Sequence, residues 1–281
     1  MLRRAKLYAL KHTWVLPAVI LLVFLSLYAL NPTESNPVHH FIFLSYKLPV
    51  SSADEVPQYG KGLWDIAFVT FYTVVLSFTR EFIMQEILRP MAKWHGLKSR
   101  GKQARYMEQM YTAIYFGILG PAGMYVMSRT PVWYFNTHGM YEAFPHKTHE
   151  AYFKFYYLFQ AAYWAQQAIV LLLGMEKPRK DFKELVGHHI VSLALIALSY
   201  RFHFTYIGLA VYITHDISDF FLAVRCPPTP FSCTPTNAFS LLLTDLQNPQ
   251  LPRPRPDGPL LLPLHVRVDL PAPLPQPAHP L

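Results

Sequence analysis

The chain has 281 residues, of which 52% are hydrophobic, 15% aromatic and only 15% charged. An ordinary soluble domain is about 25% charged, so the composition excludes a typical soluble enzyme and points to a protein embedded in lipid. Lys and Arg outnumber Asp and Glu by 25 to 17, for a net charge of +8. These basic residues lie between apolar runs rather than along a groove or an Arg-rich helix, which argues against a nucleic-acid partner.

Six apolar stretches approach the ~20 residues that a bilayer-spanning helix needs. In chain order they are Trp14–Leu30, Leu63–Thr79, Tyr111–Met127, Phe155–Leu173, Leu185–Tyr200 and Phe204–Ala223. The fold class expected is all-α, a polytopic transmembrane helix bundle of six spans. The first span follows Arg3, Arg4, Lys6 and Lys11, and it is longer than the apolar core of a signal peptide. No small-residue cleavage site follows it, so it is read as an uncleaved anchor. A shorter apolar piece, Val38–Val50, contains Lys47 and Pro49 and reads as re-entrant or interfacial.

The connectors alternate in charge. Asn31–Gly62 holds only Lys47 and Lys61, and Ser128–Lys154 only Arg129, Lys147 and Lys154. Arg80–Met110 carries Arg80, Arg89, Lys93, Lys98, Arg100, Lys102 and Arg105, and Gly174–Glu184 carries Lys177, Arg179, Lys180 and Lys183. Because cytosolic loops collect Lys and Arg, the N-terminus and both basic connectors are expected on the cytosolic side. From Arg225 the character changes: residues 227–281 hold most of the 25 prolines and no long apolar run. They read as a disordered, low-complexity tail. Cys226 and Cys233, the two cysteines, fit neither a disulfide framework nor metal-ligand spacing. The domain organisation expected is therefore an anchor and outer connector over 1–60, a membrane domain over 61–223 and a Pro-rich tail over 224–281.

The last two spans carry the chemistry. Only Arg201-Phe-His203 joins them, which implies a tight antiparallel hairpin. A turn centred near Phe202–His203 brings His188 level with Ser218 and His189 level with Ile217, within one helical turn of Asp216 and Asp219. His215 and Asp219 are four apart and Asp216 and Asp219 three apart, so they share a face, while Ser192 follows His188 at i+4. A carboxylate near the middle of a spanning helix costs about 2.5–3.5 kcal/mol. One such residue caps a bundle at the headgroups; five ionisable groups at one depth point to a site. Upstream, "QAAYWAQQ" places Gln160, Trp164 and Gln167 on one helical face, either as a polar channel lining or as interhelical hydrogen bonds.

Two chemistries compete. Histidine and aspartate suit a metal, but the HxxH at His146–His149 and the pair His39-His40 fall in outer connectors, away from the cluster. The other is metal-free acyl transfer, with a histidine taking a proton and a carboxylate orienting the imidazole. No Gly-x-Ser-x-Gly elbow and no membrane cysteine is present, so the nucleophile comes from the substrate unless a histidine is itself acylated. The acyl-transfer reading is favoured, with neither a metal nor a cofactor.

At these residues the sequence becomes recognisable. The segment "EKPRKDFKELVGHHIVSLALIALSYRFHFTYIGLAVYITHDISDFFLA", Glu176–Ala223, resembles the signature of the ceramide synthases, the longevity-assurance branch of the TLC-domain membrane proteins. The likeness extends through Lys61–Pro90, Arg105–Met127 and Trp133–Asp181, and in detail it is most like the fungal members. It implies a multi-pass enzyme of the endoplasmic-reticulum membrane, with its N-terminus cytosolic, that N-acylates a sphingoid base from a fatty acyl-CoA. The family's histidine pair falls on His188 and His189, and its acidic element on His215, Asp216 and Asp219. The implied partners are membrane lipids, acyl-CoA, the sphingoid base, and a homo- or hetero-oligomer. Lys177, Arg179 and Lys180, with the Arg89–Arg105 stretch, are candidates to hold the CoA phosphates. The resemblance stops at Ala223, where "VRCPPTPFSC" replaces the further helices of the family. That junction looks like read-through of an intron, which leaves an inactive truncated synthase or a non-catalytic lipid-handling protein as the alternatives. A metal-dependent lipid hydroxylase is the third class weighed, and the histidine count disfavours it.

Overall fold

The computed structural model describes residues 12–49, 56–142, 144–174 and 182–225. Six long helices account for most of them: α1 (Val15–Leu30), α2 (Trp64–Trp94), α3 (Arg100–Ser128), α4 (Ala151–Leu172), α5 (Phe182–Arg201) and α6 (Thr205–Arg225). Among the described residues, α2, α3, α5 and α6 are each long and apolar enough to cross a membrane, and α1 is apolar but 16 residues long. α4 has the length, at 22 residues, but carries Lys154, Gln160 and Gln166, all buried inside the bundle, and the half-buried Gln167. The chain is a multi-pass membrane protein of helical architecture. The tail expected over 224–281 lies, from residue 226 onward, outside the described residues, and so do Lys177, Arg179 and Lys180.

The helices run past the apolar stretches that announce them. α2 continues from Thr79 to Trp94, so Arg80, Arg89 and Lys93 sit on a helix and not in a loop. Arg80 is 4% exposed and pairs with Glu81 at 2.5 Å. The segment Ile83–Leu88 widens to a π-helix just before Pro90. A proline has no N–H to donate and its ring collides with the carbonyl four residues back; the wider turn removes that collision without breaking the helix. α2 then ends at Gly96, which takes φ +75°, with Leu97 N–H donating to the Ala92 carbonyl and Gly96 N–H to the Lys93 carbonyl. This is the glycine-terminated cap that satisfies a helix's last carbonyls.

α1 has no buried residue and is held by aromatic contacts: Phe24 lies 5.1 Å from Phe41 and 5.5 Å from Phe71, and Trp14 meets Phe82 at 5.7 Å. The Val38–Val50 piece, described as far as Pro49, forms one helical turn, His39–Ile42, followed by chain that bridges to Tyr59 through Lys47. A two-residue antiparallel ladder, β1 (Gln58–Tyr59) with β2 (His149–Glu150), ties the connectors together at this end.

α4 lies at the centre and buries Tyr156, Tyr157, Gln160, Tyr163 and Trp164 among other residues. α6 packs chiefly on α3, whereas α5 leans on α4 and has no fully buried residue. The turn between α5 and α6 is tight, with His203 at φ +68°. Beyond it the two helices touch each other less than each touches its other neighbour. The close hairpin expected from the short connector is thus opened, with α4 side chains set against both arms, Tyr157 bonded to Ser199 of α5 and Tyr156 to Asp216 of α6.

Candidate active site

The open angle is a slot of about 320 Å³, lined by α4, α5 and α6. His188 and His215 stand at one end with Ser192 and Trp164; Val191, Leu195, Ile196, Ile207 and Val211 form apolar walls. Tyr157, Ser199 and Gly208 stand at the other. Eleven residues of α5 separate His188 from Ser199, or about 16 Å at 1.5 Å per residue. The far end is shut by a hydrogen bond between the Tyr157 and Ser199 hydroxyls. Gly208 makes room for it, since a Cβ there would come within 2.3 Å of the Tyr157 oxygen.

The imidazoles are placed by their own helices. His188 and His189 both meet Trp164 edge-on, at 6.3 and 6.0 Å, and lie 5.7 Å from one another. Ser192 Oγ is 3.5 Å from His188 Nε2, one helical turn along. His215 Nδ1 is 2.8 Å from the Val211 carbonyl. A carbonyl can only accept, so Nδ1 carries the hydrogen and Nε2 of a neutral ring keeps its lone pair. Asp219 is half-buried and within electrostatic reach of both His215 and His188.

Asp216 behaves differently. It is fully buried and faces α4, where its Oδ2 accepts from Tyr156 Oη at 3.1 Å and from the Gln160 amide. Gln160 also donates to Tyr156 Oη at 3.0 Å and accepts from Tyr115 Oη of α3 at 3.3 Å. Tyr115 stacks on Tyr163 at 3.7 Å. Gly123 of α3 admits the Tyr156 hydroxyl, because a Cβ there would lie 2.3 Å from it. The structure thus brings His188, His215, Ser192 and Trp164 to the slot, with Asp219 near its two imidazoles. It sets Asp216 in the adjoining polar layer with Gln160, and no hydrogen bond joins Asp216 to an imidazole among those described. Gln167 is half-buried, and its neighbour Gln166 is the more deeply enclosed amide at 1% exposure.

A second polar cluster occupies the opposite end, and sequence reasoning missed it. Lys154, counted from the sequence as a connector charge, lies in α4 with 0% exposure. Its ammonium pairs with Asp65 Oδ1 at 2.6 Å and donates to the carbonyls of Ser45 at 2.9 Å and Gly60 at 2.8 Å. Asp65 Oδ2 accepts from Tyr200 Oη at 2.7 Å and from Gly62 N–H at 2.9 Å. Nearby, Lys61 Nζ is 3.3 Å from the Tyr200 carbonyl, and burial pulls its ammonium down to about 7. His146 sits between the carbonyls of His203 and Glu142, and His149 Nε2 meets Thr205 Oγ at 3.0 Å. The HxxH pair therefore braces the α5–α6 turn. Among the described residues, no three His, Cys, Asp or Glu side chains cluster as metal ligands.

The TLC-domain family profile matches residues 105–226, from the first turns of α3 through the end of α6. The match takes in a little under half of the chain. Every slot residue falls inside the TLC match, as does the Asp216 layer, while α1 and α2 precede it. Over a longer stretch the chain is similar to named fungal proteins. A sphingosine N-acyltransferase-like protein of Gibberella moniliformis is 55% identical over 218 residues, covering 76% of this chain and 56% of the relative. A sphingosine N-acyltransferase of Schizosaccharomyces pombe is 49% identical over 222 residues, covering 79% and 56%. A ceramide synthase of Saccharomyces cerevisiae is 49% identical over 216 residues, covering 76% and 51%. The chain thus spans little more than half the length of these relatives.

Tyr156, Tyr212 and Tyr115 were not singled out from the sequence. Tyrosine counts toward an apolar run, so its hydroxyl is invisible to a hydropathy reading. The available signal was spacing: Tyr156 stands four residues before Gln160 on the same helical face.

Proposed function

We propose that the chain is the acyl-transferring part of a sphingosine N-acyltransferase, which moves a fatty acyl group from acyl-CoA to the amine of a sphingoid base. The observation that carries this reading is the apolar slot with two imidazoles at its mouth and a buried carboxylate beside it. The slot suits a hydrocarbon chain, and the imidazoles suit the thioester at its end. The names of the relatives supply the substrate class.

In the proposed step the neutral amine attacks the thioester carbonyl, and a carbon–nitrogen bond forms as the carbon–sulfur bond breaks. One amine proton passes to an imidazole at the mouth, His188 or His215, and from there to the departing CoA thiolate, so that amide and thiol leave with atoms and charge balanced. Asp219, near both rings, stabilises whichever imidazolium forms. Asp216, fixed by Tyr156 and Gln160, and His189, against Trp164, complete the site. CoA is polyanionic, and Lys93, Lys98, Arg100 and Lys102 lie at the α2–α3 end of the bundle, the end from which His188 enters. They are the proposed phosphate contacts, together with Lys177, Arg179 and Lys180. This orientation makes that end, and the N-terminus, cytosolic in a membrane of the endoplasmic reticulum.

The test is ceramide formation by microsomes carrying the chain, supplied with sphinganine and labelled acyl-CoA. Turnover that His188→Ala and Asp216→Asn reduce by 100-fold or more is the expected outcome. Parent-like rates in both variants, at matched expression, would remove the assignment.

A further inference from the structure

Buried polar atoms in native proteins are nearly always paired, so an orphan asks for a partner. Asp216 Oδ1, Tyr212 Oη and Gln166 Oε1 are enclosed without a hydrogen-bond partner among the described residues. Asp216 and Tyr212 are four residues apart on one face of α6, at 0% and 4% exposure, with about 5–6 Å between their Cβ atoms expected from that spacing. Tyr212 also lines the slot that His188 and His215 open onto. The two donors on Asp216 Oδ2, Tyr156 and Gln160, leave Oδ1 as the free half of the carboxylate.

A carboxylate in a dry interior calls for a cation or a proton. The buried cations of the bundle are engaged elsewhere, Lys154 with Asp65 and Arg80 with Glu81. One carboxylate oxygen and one phenol are too few for a hard divalent ion, which takes six or more oxygens. They match a smaller demand: a charged or neutral amine with a hydroxyl on the adjacent carbon. We propose that Asp216 Oδ1 and the Tyr212 hydroxyl form a headgroup site for an amino-alcohol lipid. The carboxylate accepts from the nitrogen, and the phenol pairs with the neighbouring hydroxyl. This rests on the acyl-transfer reading and deepens it, since it says how the acceptor is told from other long-chain amines.

The experiment uses the full chain in detergent micelles and compares sphinganine with octadecylamine, which has the amine and chain but no hydroxyl. Sphinganine is expected to raise the thermal midpoint of the parent more than octadecylamine does. Tyr212→Phe, which deletes one oxygen and no volume, is expected to equalise the two. In turnover its KM for sphinganine should rise about tenfold, equivalent to about 1.4 kcal/mol, with the KM for acyl-CoA unchanged. Asp216→Asn should lose protection by both amines while melting like the parent without ligand; should that variant not fold, the tyrosine variant decides alone. Retention of the parent's preference by Tyr212→Phe overturns the proposal. A parent that makes no ceramide yet is selectively protected by sphinganine upholds the headgroup site and removes the acyl-transfer reading.

Discussion

Replacing Asp65 by alanine strands Lys154, and the structure fixes how costly that should be. The Lys154 ammonium is fully enclosed, and Asp65 supplies its only counter-charge among the described residues, at 2.6 Å. Two carbonyls, of Ser45 and Gly60, would still accept from it, but dipoles do not neutralise a buried charge. Removing one partner of a buried pair typically costs about 3–5 kcal/mol. The Tyr200 hydroxyl, now bonded to Asp65 Oδ2 at 2.7 Å, is orphaned as well, which adds about 1–3 kcal/mol. Asp65→Ala should therefore destabilise by roughly 4–8 kcal/mol, the lower figure applying where water reaches the gap. Tyr200→Phe alone should cost about 1.5–3 kcal/mol, the worth of a hydrogen bond to a charged group. Because most of the loss is an uncompensated charge, Lys154→Met in the Asp65→Ala background should restore at least about 2 kcal/mol. The assay is reversible unfolding in mixed micelles, read as a double-mutant cycle. An Asp65→Ala variant within about 1 kcal/mol of the parent, or a double variant worse than either single one, would falsify the account.

Gly123→Ala places a methyl 2.3 Å from the Tyr156 oxygen, so the Tyr156–Asp216 bond must break while the fold persists; loss of about 1.5–3 kcal/mol predicts acyl transfer reduced roughly 10–100-fold, and a parent-like rate refutes it. Gly208→Ala displaces Tyr157 in the same way and shortens the slot, so the longest acyl-CoA accepted should become shorter in a chain-length series. Burial holds the His149 imidazole down to about 2, against 6.5 for the free side chain. Below pH 6.5 the unfolded chain binds a proton that the folded chain refuses. Stability is thus full above that pH and declines by about 1.4 kcal/mol per unit as pH falls toward 2, or about 2 kcal/mol between pH 6.5 and 5. His149→Gln should flatten that stretch of the stability curve, and an unchanged slope would show that another group controls it.

What was legible in the sequence follows from what periodicity can see. The six apolar stretches stand out because bilayer length and apolarity are properties of a window; each lies largely on a helix, and four of those helices are long and apolar enough to cross a membrane. Their true ends do not, since Arg80, Arg89 and Lys93 prefer helix as readily as leucine does; leaving the membrane and ending the helix are separate events. Much of the slot's mouth was also legible, since His188, Ser192 and His215 follow from i, i+4 spacing and one short connector; Trp164, read only as sharing a face with Gln160 and Gln167, was not expected to meet the histidines. The expected level of the acids was right only in part. Asp219 does lie near the histidines, but Asp216, three residues earlier, is turned toward Tyr156 and Gln160. A hairpin drawn as two cylinders cannot show this, because α4 side chains meet both arms and capture one carboxylate. Lys154 was misread for a related reason: a single charge at the edge of an apolar run looks like a connector until Asp65, 89 positions away, is known to meet it.

The two polar layers divide the bundle's work unequally. Around Lys154, each oxygen of Asp65 has a strong partner, and the lysine donates three times. A network saturated in this way has nothing left to bind and resists rearrangement, which suits the end where α4, the β1–β2 ladder and the α5–α6 turn must be held in register. Around Asp216 the pairing is left open, with Asp216 Oδ1, the Tyr212 hydroxyl and Gln166 Oε1 each short of a partner among the described residues. Leaving those atoms unpaired inside the bundle destabilises it by about 1–3 kcal/mol apiece, an expense a purely structural layer would shed by substituting phenylalanine or leucine. The stiff, satisfied end can carry that deficit because it anchors both helices that present the unsatisfied one: Tyr200 is on α5 and Thr205 on α6, each tied down where its helix meets the turn. Weakening the Asp65 cluster should consequently loosen the slot before it unfolds the bundle, so that acyl transfer in Tyr200→Phe is lost at a lower temperature than helix content. Coincident loss of both would mean that the two ends do not act separately.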